Sequence, residues 1–328
     1  MPPSAVLTER RETVALVIPL YNETAVLPLL IDEVERFRAG QPDVVQVVLV
    51  DDGSRDGTLA LARQLTNGKP GYTLVAFARN FGHQLAVTAG LSFVEADAAV
   101  ILDADLQDPL PVVAEMIAKW REGFDVVYGV REKREGETAF KRATAAGFYR
   151  LFRWATDLEL PVDTGDFRLV SRRVIDAYAK MGEQQPFVRG LIAWLGFEQV
   201  GVPYTRAPRA AGETKYPLRK MLRFAVTGLT AFSDRPLKLA AWVGFATSAL
   251  AVAGFVWALL AKLVWNAALP GWTSIALVSF FFGGVQLFFL GVIGLYLARV
   301  FDEVRGRPRF VVKDVWRSSA PGADVRGA

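Results

Sequence analysis

Residues 44–57 read VVQVVLVDDGSRDG. A short apolar run dominated by valine is the pattern of a buried β-strand, and this one ends abruptly on two carboxylates and a glycine. The same grammar recurs on both sides. Residues 14–19 (VALVIP) form an earlier run that gives way to Tyr21-Asn22-Glu23, and a helical pattern follows through Phe37. Residues 72–77 lead to Arg79-Asn80, with a helical pattern over 84–94, and residues 98–102 lead to Asp103-Ala104-Asp105. A helix over 59–65 and a fifth strand at 126–128 complete the series. Strands alternating with helices at this spacing predict an α/β domain with a doubly wound, mostly parallel sheet. Ligands of such sheets bind beyond the carboxyl ends of the strands, where every one of these polar clusters falls.

The 328 residues include 38 basic and 34 acidic side chains, a formal charge of +4, and 52% are apolar. There is no Cys and one His, His83. Disulfides, thiolate nucleophiles and Cys-ligated zinc are excluded, and His-rich metal sites have little room. Chemistry falls to carboxylates, basic side chains and a hard metal.

The apolar excess is concentrated between residues 239 and 298, where Lys262 is the sole charge. Two uncharged stretches of 23 residues, 239–261 and 275–297, each exceed the length needed to cross a hydrocarbon core of about 30 Å. Residues 266–274 (NAALPGWTS) supply a turn, with Trp265 and Trp272 as interfacial anchors. The pattern predicts a transmembrane hairpin. Arg219, Lys220, Arg223, Arg235 and Lys238 precede it, and Arg299, Arg305, Arg307, Arg309 and Lys313 follow it. The positive-inside tendency therefore places both termini in the cytoplasm, in a multi-pass protein of the cell (inner) membrane. No early apolar segment predicts a cleaved signal peptide.

Asp103-Ala104-Asp105-Leu106-Gln107 carries the strongest chemical signal. In an extended segment, residues at i, i+2 and i+4 share a face, so Asp103, Asp105 and Gln107 are expected to converge. Two carboxylates and an amide oxygen suit Mg²⁺ or Mn²⁺, leaving positions for diphosphate oxygens and water. An ordinary acidic turn before Pro109 is the plain alternative. The segment 51–57 lacks Gly-x-Gly-x-x-Gly, so the dinucleotide fingerprint is missing. A carboxylate there suits a uracil or ribose, unless the segment is only a βα turn.

IPLYNE, VDDGSRDGT, ARNFGHQ, DADLQDP, DTGDFRL and RAPRAAGETKYPLRKML occur in this order from about residue 12 to 312. In these motifs the chain resembles family 2 glycosyltransferases, specifically polyprenyl-phosphate glycosyltransferases of the bactoprenol glucosyltransferase type. Dolichyl-phosphate mannose synthases are more distant relatives. The resemblance implies a GT-A catalytic domain, a nucleotide-sugar donor, a divalent metal (Mg²⁺ or Mn²⁺) and a polyprenyl-phosphate acceptor. Pro19, Tyr21, Glu23 and Asp52 would hold the nucleoside, with Arg79 beside them at the next strand end. Asp103, Asp105 and Gln107 match the metal motif, and Arg209 with Lys215 would grip the diphosphate. Eight basic and two acidic residues between 206 and 238 give that segment a net +6, which suits the diphosphate and equally an anionic lipid surface. Of the basic cluster after residue 129, Arg131, Arg134 and Arg142 are the acceptor-phosphate candidates.

The segments expected are an N-terminal tail (1–11), a cytoplasmic catalytic domain (12–216), an amphipathic juxtamembrane segment (217–236), a first span (237–264), an extracytoplasmic loop (265–274), a second span (275–298) and a cytoplasmic tail (299–328). Asp166 is the carboxylate expected beside the reacting centre, as a base or as an orienting group. A polyprenyl phosphate is already largely ionised, so catalysis would rest on alignment and on stabilising the leaving nucleoside diphosphate. The reading is inverting transfer of one hexose, glucose from UDP-glucose, to undecaprenyl phosphate. Alternatives are another donor (GDP-mannose, UDP-galactose, UDP-N-acetylglucosamine or UDP-aminoarabinose) or a non-catalytic lipid-binding protein with a vestigial nucleotide site. The expected partners are donor, lipid and bilayer, with no nucleic acid. Small residues in the first span (Gly244/Ser248, Gly254/Ala258) permit close packing in a homo-oligomer.

Overall fold

In the computed structural model the described residues are 12–131, 164–205, 233–265 and 271–318. The chain divides into two units, one built on the sheet and one containing the two long helices.

The first unit opens with β1 (Val14–Leu20), buried along its whole length. Alternate residues face opposite layers, as strand geometry requires. Leu16 and Ile18 join the core with Leu30 of α1 (Leu27–Gly40) and Val113 and Met116 of α4 (Leu110–Arg121). Val17 faces the other layer, where α3 (His83–Ser92) packs so closely that a Cβ on Gly90 would lie 2.3 Å from its Cγ1. With both faces covered, the continuous apolar runs are explained.

Parallel pairing joins β1 to β2 (Val44–Asp51) and to β4 (Ala98–Ile101), and β2 to β3 (Tyr72–Phe77). The helix α2 (Thr58–Thr66) connects β2 to β3. The strand order changes direction between β1 and β4, so the connections leaving their carboxyl ends run opposite ways, which is where open α/β sheets bind their ligands.

Beyond β4 the sheet departs from a simple parallel series. β6 (Thr164–Ser171) inserts antiparallel between β4 and β5 (Val126–Arg131), and β7 (Gln199–Tyr204) pairs parallel with β5. β6 runs opposite to β4, which brings its N-terminal residues to the edge where β4 ends. Its last residue, Ser171, caps α5 (Arg172–Ala179) through Oγ, which accepts from Val174 N. A further helix, α6 (Val188–Trp194), follows.

The second unit contains α7 (Arg235–Trp265) and α8 (Trp272–Val304), of 31 and 33 residues, or about 46 and 50 Å at 1.5 Å per residue. Both contain windows long and apolar enough to cross a membrane, with none of the window buried within the protein. Trp242 and Phe245 are each 71% exposed. Two long apolar helices that the described residues leave uncovered suggest membrane association. Tyr296 Oη donates to Ser233 O at 2.6 Å, tying the end of α8 to the start of α7.

Three strands lie outside the five that the sequence pattern predicts: β6, β7 and a last one. Within the segment expected as a C-terminal tail, β8 (Val312–Arg317) pairs antiparallel with β3 as the sheet's edge. After the long helices the chain therefore rejoins the first unit.

Candidate functional site

The loops after β1 and β2 are laced together. Asn22 N donates to Ser54 Oγ at 3.0 Å, Arg55 N to Asn22 Oδ1 at 2.9 Å, and Glu23 N to Thr58 Oγ1 at 2.8 Å. Asn22 takes a positive φ of 56°, which its short polar side chain tolerates. Pro19 ends up buried within β1, whereas Tyr21 is 46% exposed on the rim. Gly53, at φ 67°, lies where a Cβ would come within 2.4 Å of the Arg79 carbonyl carbon, so its loop can touch the loop after β3 only as glycine.

The two aspartates ending β2 have different duties. Asp52 Oδ1 accepts from Phe81 N at 2.6 Å, and its Oδ2 accepts from Asn80 Nδ2 and Gly82 N, both at 2.9 Å. Asp52 thus clamps the turn that starts α3. Asp51 is equally buried, and its Oδ1 has no hydrogen-bond partner. Burial pushes its carboxyl above the ordinary range. The nucleoside expectation names Asp52, whose two oxygens already accept within the protein, whereas the unpartnered carboxylate oxygen is the buried Oδ1 of Asp51. Arg79 is exposed, stacks over the Phe81 ring at 3.9 Å and donates to Asn80 O.

At the end of β4 the expected extended segment is instead a turn. Leu106 takes φ 56°, and Gln107 N donates to Asp105 Oδ1 at 3.1 Å. Strand alternation therefore does not bring Asp103, Asp105 and Gln107 to one side; Gln107 is buried while the two aspartates are half-buried. The turn is the physical reason, since it breaks the period of two.

Across from it, β4 and β6 pair Ile101 with Arg168. Asp103 and Asp166 each lie two residues beyond that pair, at the same sheet edge. His83, the first residue of α3, joins them: its Nε2 is 3.2 Å from Asp166 Oδ2 and 3.7 Å from Asp103 Oδ1. Gln84 Nε2 also donates to Asp166 Oδ2, at 2.8 Å. Although burial opposes it, the His83 bond and the charges of His83, Arg189 and Arg168 hold the Asp166 carboxyl well below the usual range. Burial together with the charges of Asp108, Asp166 and Asp105 pushes Asp103 up to about 6, against the pull of His83. Arg168 is buried, donates to Gly165 O at 2.9 Å, and is brought down to about 10 by burial. Arg131 closes this side, its Nη2 lying where a Cβ on Gly165 would be 2.6 Å away.

Residues 15–179 match the family model "Glycosyl transferase family 2". The chain belongs to this family. Bacillus subtilis (strain 168) has a relative named uncharacterized glycosyltransferase YkcC, 44% identical over 91% of this chain and 93% of its own. A Shigella flexneri protein named SfII prophage-derived bactoprenol glucosyl transferase is 34% identical over 93% of this chain and 99% of its own. The crystal structure of Mycobacterium tuberculosis glucosyl-3-phosphoglycerate synthase with uridine diphosphate is 20% identical, with a TM-score of 0.47 over 67% of this chain and 79% of that one. The same synthase has also been crystallised with Mn²⁺ and UDP-glucose.

In this glycosyltransferase, His83 and Gln84 are site residues the sequence reading passed over. Their signal lay in ARNFGHQ, which follows a strand end at the ligand-binding edge. Arg134, Arg142, Arg209 and Lys215 lie outside the described residues, as do most of the juxtamembrane segment and the loop between the long helices.

Among the described residues, no three His, Asp or Glu side chains are grouped to hold a metal by themselves. The donor chemistry nevertheless fits a hard divalent cation. Mg²⁺ is commonly held by one or two carboxylates plus substrate phosphates, and Asp103 sits among like charges that a cation would relieve. Asp103 and Asp105 would hold it in the glycosyltransferase.

Proposed function

We propose that this glycosyltransferase moves one hexose, glucose from UDP-glucose, onto undecaprenyl phosphate at the cytoplasmic face of the membrane. The observation that carries the reading is a carboxylate edge where β4 ends, in a chain that also has two long, uncovered apolar helices. Relatives named bactoprenol glucosyl transferase support the lipid acceptor and the glucosyl group. Residues on both sides of the helix pair belong to one sheet, and two crossings return a chain to the side it left. That supports a single cytoplasmic location for both flanks.

In the proposed reaction an oxygen of the acceptor phosphate attacks the anomeric carbon. The bond from that carbon to the donor diphosphate breaks, and the nucleoside diphosphate leaves with the electron pair. One displacement inverts the anomeric centre. A bound divalent cation would supply charge stabilisation to the leaving diphosphate. Tyr21 offers an exposed ring to the nucleoside, and Asp51, buried and with Oδ1 unpartnered, is assigned to the same group. Arg131 faces the acceptor phosphate, with Arg134 and Arg142 assigned to the same anion and Arg209 and Lys215 to the diphosphate. Asp166 is ionised well below neutral pH, so it is a weak base. Its role is therefore to orient the sugar, held in place by His83 and Gln84.

The test mixes membranes containing the full chain with labelled UDP-glucose, undecaprenyl phosphate and Mg²⁺. Organic-extractable label with a β-linked sugar is expected, and it should vanish for Asp105→Ala. Label from another nucleotide sugar but not UDP-glucose overturns the donor. An α-linked product overturns the single displacement.

A further inference from the structure

Two buried polar residues near the site have no part in the proposed chemistry. Asp108 closes the turn after β4 and is 3% exposed; Tyr204 ends β7 and is 4% exposed. Tyr204 Oη donates to Asp108 Oδ1 at 2.7 Å, and Arg131 Nε donates to Tyr204 Oη at 3.3 Å. Arg131 and Tyr204 are register partners on β5 and β7, so the sheet itself sets this last contact.

The phenol is fixed on every side. Its ring meets Phe167 edge-on at 5.4 Å, and a Cβ on Gly129 would lie 2.7 Å from its Cε1. A neutral phenol can accept from a guanidinium and donate to a carboxylate at once. Burial and the Asp108 charge push Tyr204 up to about 12, which keeps it neutral.

We infer that Asp108 and Tyr204 are a positioning pair for Arg131, aiming its guanidinium over Gly165 at the acceptor phosphate. The inference rests on the reading of Arg131 as a phosphate ligand. With Nε committed to Tyr204, the guanidinium presents its terminal nitrogens, and Nη2 lies over the bare backbone of Gly165. Among the described residues, no carboxylate pairs directly with Arg131. The interposed phenol passes orientation from Asp108 to Arg131 without a direct ion pair that would spend the positive charge. Holding a flexible side chain in its bound geometry raises affinity by removing an ordering cost.

The test measures undecaprenyl phosphate and UDP binding to the detergent-solubilised full chain, alongside thermal unfolding. Tyr204→Phe keeps the ring and removes the hydroxyl. It should weaken undecaprenyl phosphate binding roughly tenfold, the loss of one hydrogen bond to a charged group, with UDP binding unchanged. Combined with Arg131→Ala, it should add nothing to the loss from Arg131→Ala alone. Gly165→Ala, which crowds Nη2 without touching Tyr204, should reproduce the lipid-selective loss if Tyr204→Phe does not fold. Undiminished lipid binding in a folded Tyr204→Phe, with Arg131→Ala impaired, overturns the positioning pair and leaves the phosphate reading standing. Multiplicative losses in the double variant also overturn the pair. Undiminished lipid binding in Arg131→Ala overturns the phosphate reading, and the pair with it.

Discussion

Gln84 and Asp166 are joined by a 2.8 Å hydrogen bond from Nε2 to Oδ2, and Gln84 Oε1 simultaneously accepts from Val188 N at 2.9 Å. One side chain thus ties the carboxylate on β6 to the first turn of α6. Gln84→Glu keeps an acceptor for Val188 but replaces the donor with a like charge. It should lower kcat by roughly 10–100-fold, since a hydrogen bond to an ionised group is worth about 1.5–3 kcal/mol. The melting temperature and donor KM should stay near wild type. Steady-state kinetics over both substrates distinguish this from a folding defect, and an unchanged kcat would remove Gln84 from the site.

The adjacent aspartates of β2 predict opposite phenotypes. Asp52 supports a loop with both oxygens, so Asp52→Ala should lower the melting temperature by several degrees, leaving three half-buried donors without acceptors. Asp51→Asn should leave folding nearly intact and weaken UDP binding by roughly tenfold, on the scale of one charge-assisted hydrogen bond. Calorimetric titration with UDP and a thermal melt for each variant are sufficient. If Asp52→Ala melts normally and loses UDP instead, the two assignments are reversed.

What was legible in the sequence follows from burial. β1 to β4 are covered on both faces along nearly their whole length, so their residues are mostly apolar and stand out against any flank. β6 escaped because TGDFRLVS carries the charged Asp166 and Arg168 inside a strand, where the site and not the core needs them. β8 escaped for the opposite reason: VKDVWR is exposed or half-buried throughout, with no alternation to read. The acidic cluster of β4 was visible as chemistry, yet its turn was not, because nothing short of the backbone shows Leu106 at positive φ. His83 was discounted by being alone, although one histidine between two carboxylates needs no second.

Asp56 gives the first unit an acid-sensitive contact. Burial is the largest single influence and opposes it, but the hydrogen bonds from Thr58 and Thr24 together bring its carboxyl down to about 2, from about 3.9 for a free Asp. A depressed carboxyl stabilises the fold above the unfolded value, and that contribution disappears as the pH falls from about 4 to about 2. Asp56 is exposed, so solvent screening limits the effect to about 1 kcal/mol or less. The melting difference between wild type and Asp56→Asn should therefore be present at neutral pH and close up below about pH 3. A difference that persists unchanged in acid would show that the charge is irrelevant to the contact.

The strand that follows the long helices makes the sheet depend on both ends of the chain. Ala78 N donates to Val311 O at 2.9 Å, Phe310 stacks on Phe77 at 5.2 Å, and Arg309 Nη1 reaches Met181 O at 2.9 Å. Arg317 pairs with Glu95 at 2.9 Å and Arg63 with Asp314. Deleting residues 307–328 uncovers the edge of β3, with its unpaired amides and carbonyls. A loss of roughly 3–5 kcal/mol is expected from the ladder and the stacked ring together, or about 10 °C of melting temperature. The same deletion should increase aggregation in detergent, because a bare edge pairs with other chains. Phe310→Ala should show a smaller part of the destabilisation with the edge still covered, separating packing from strand pairing. A truncated chain that melts and disperses like wild type would mean that β8 only decorates the sheet.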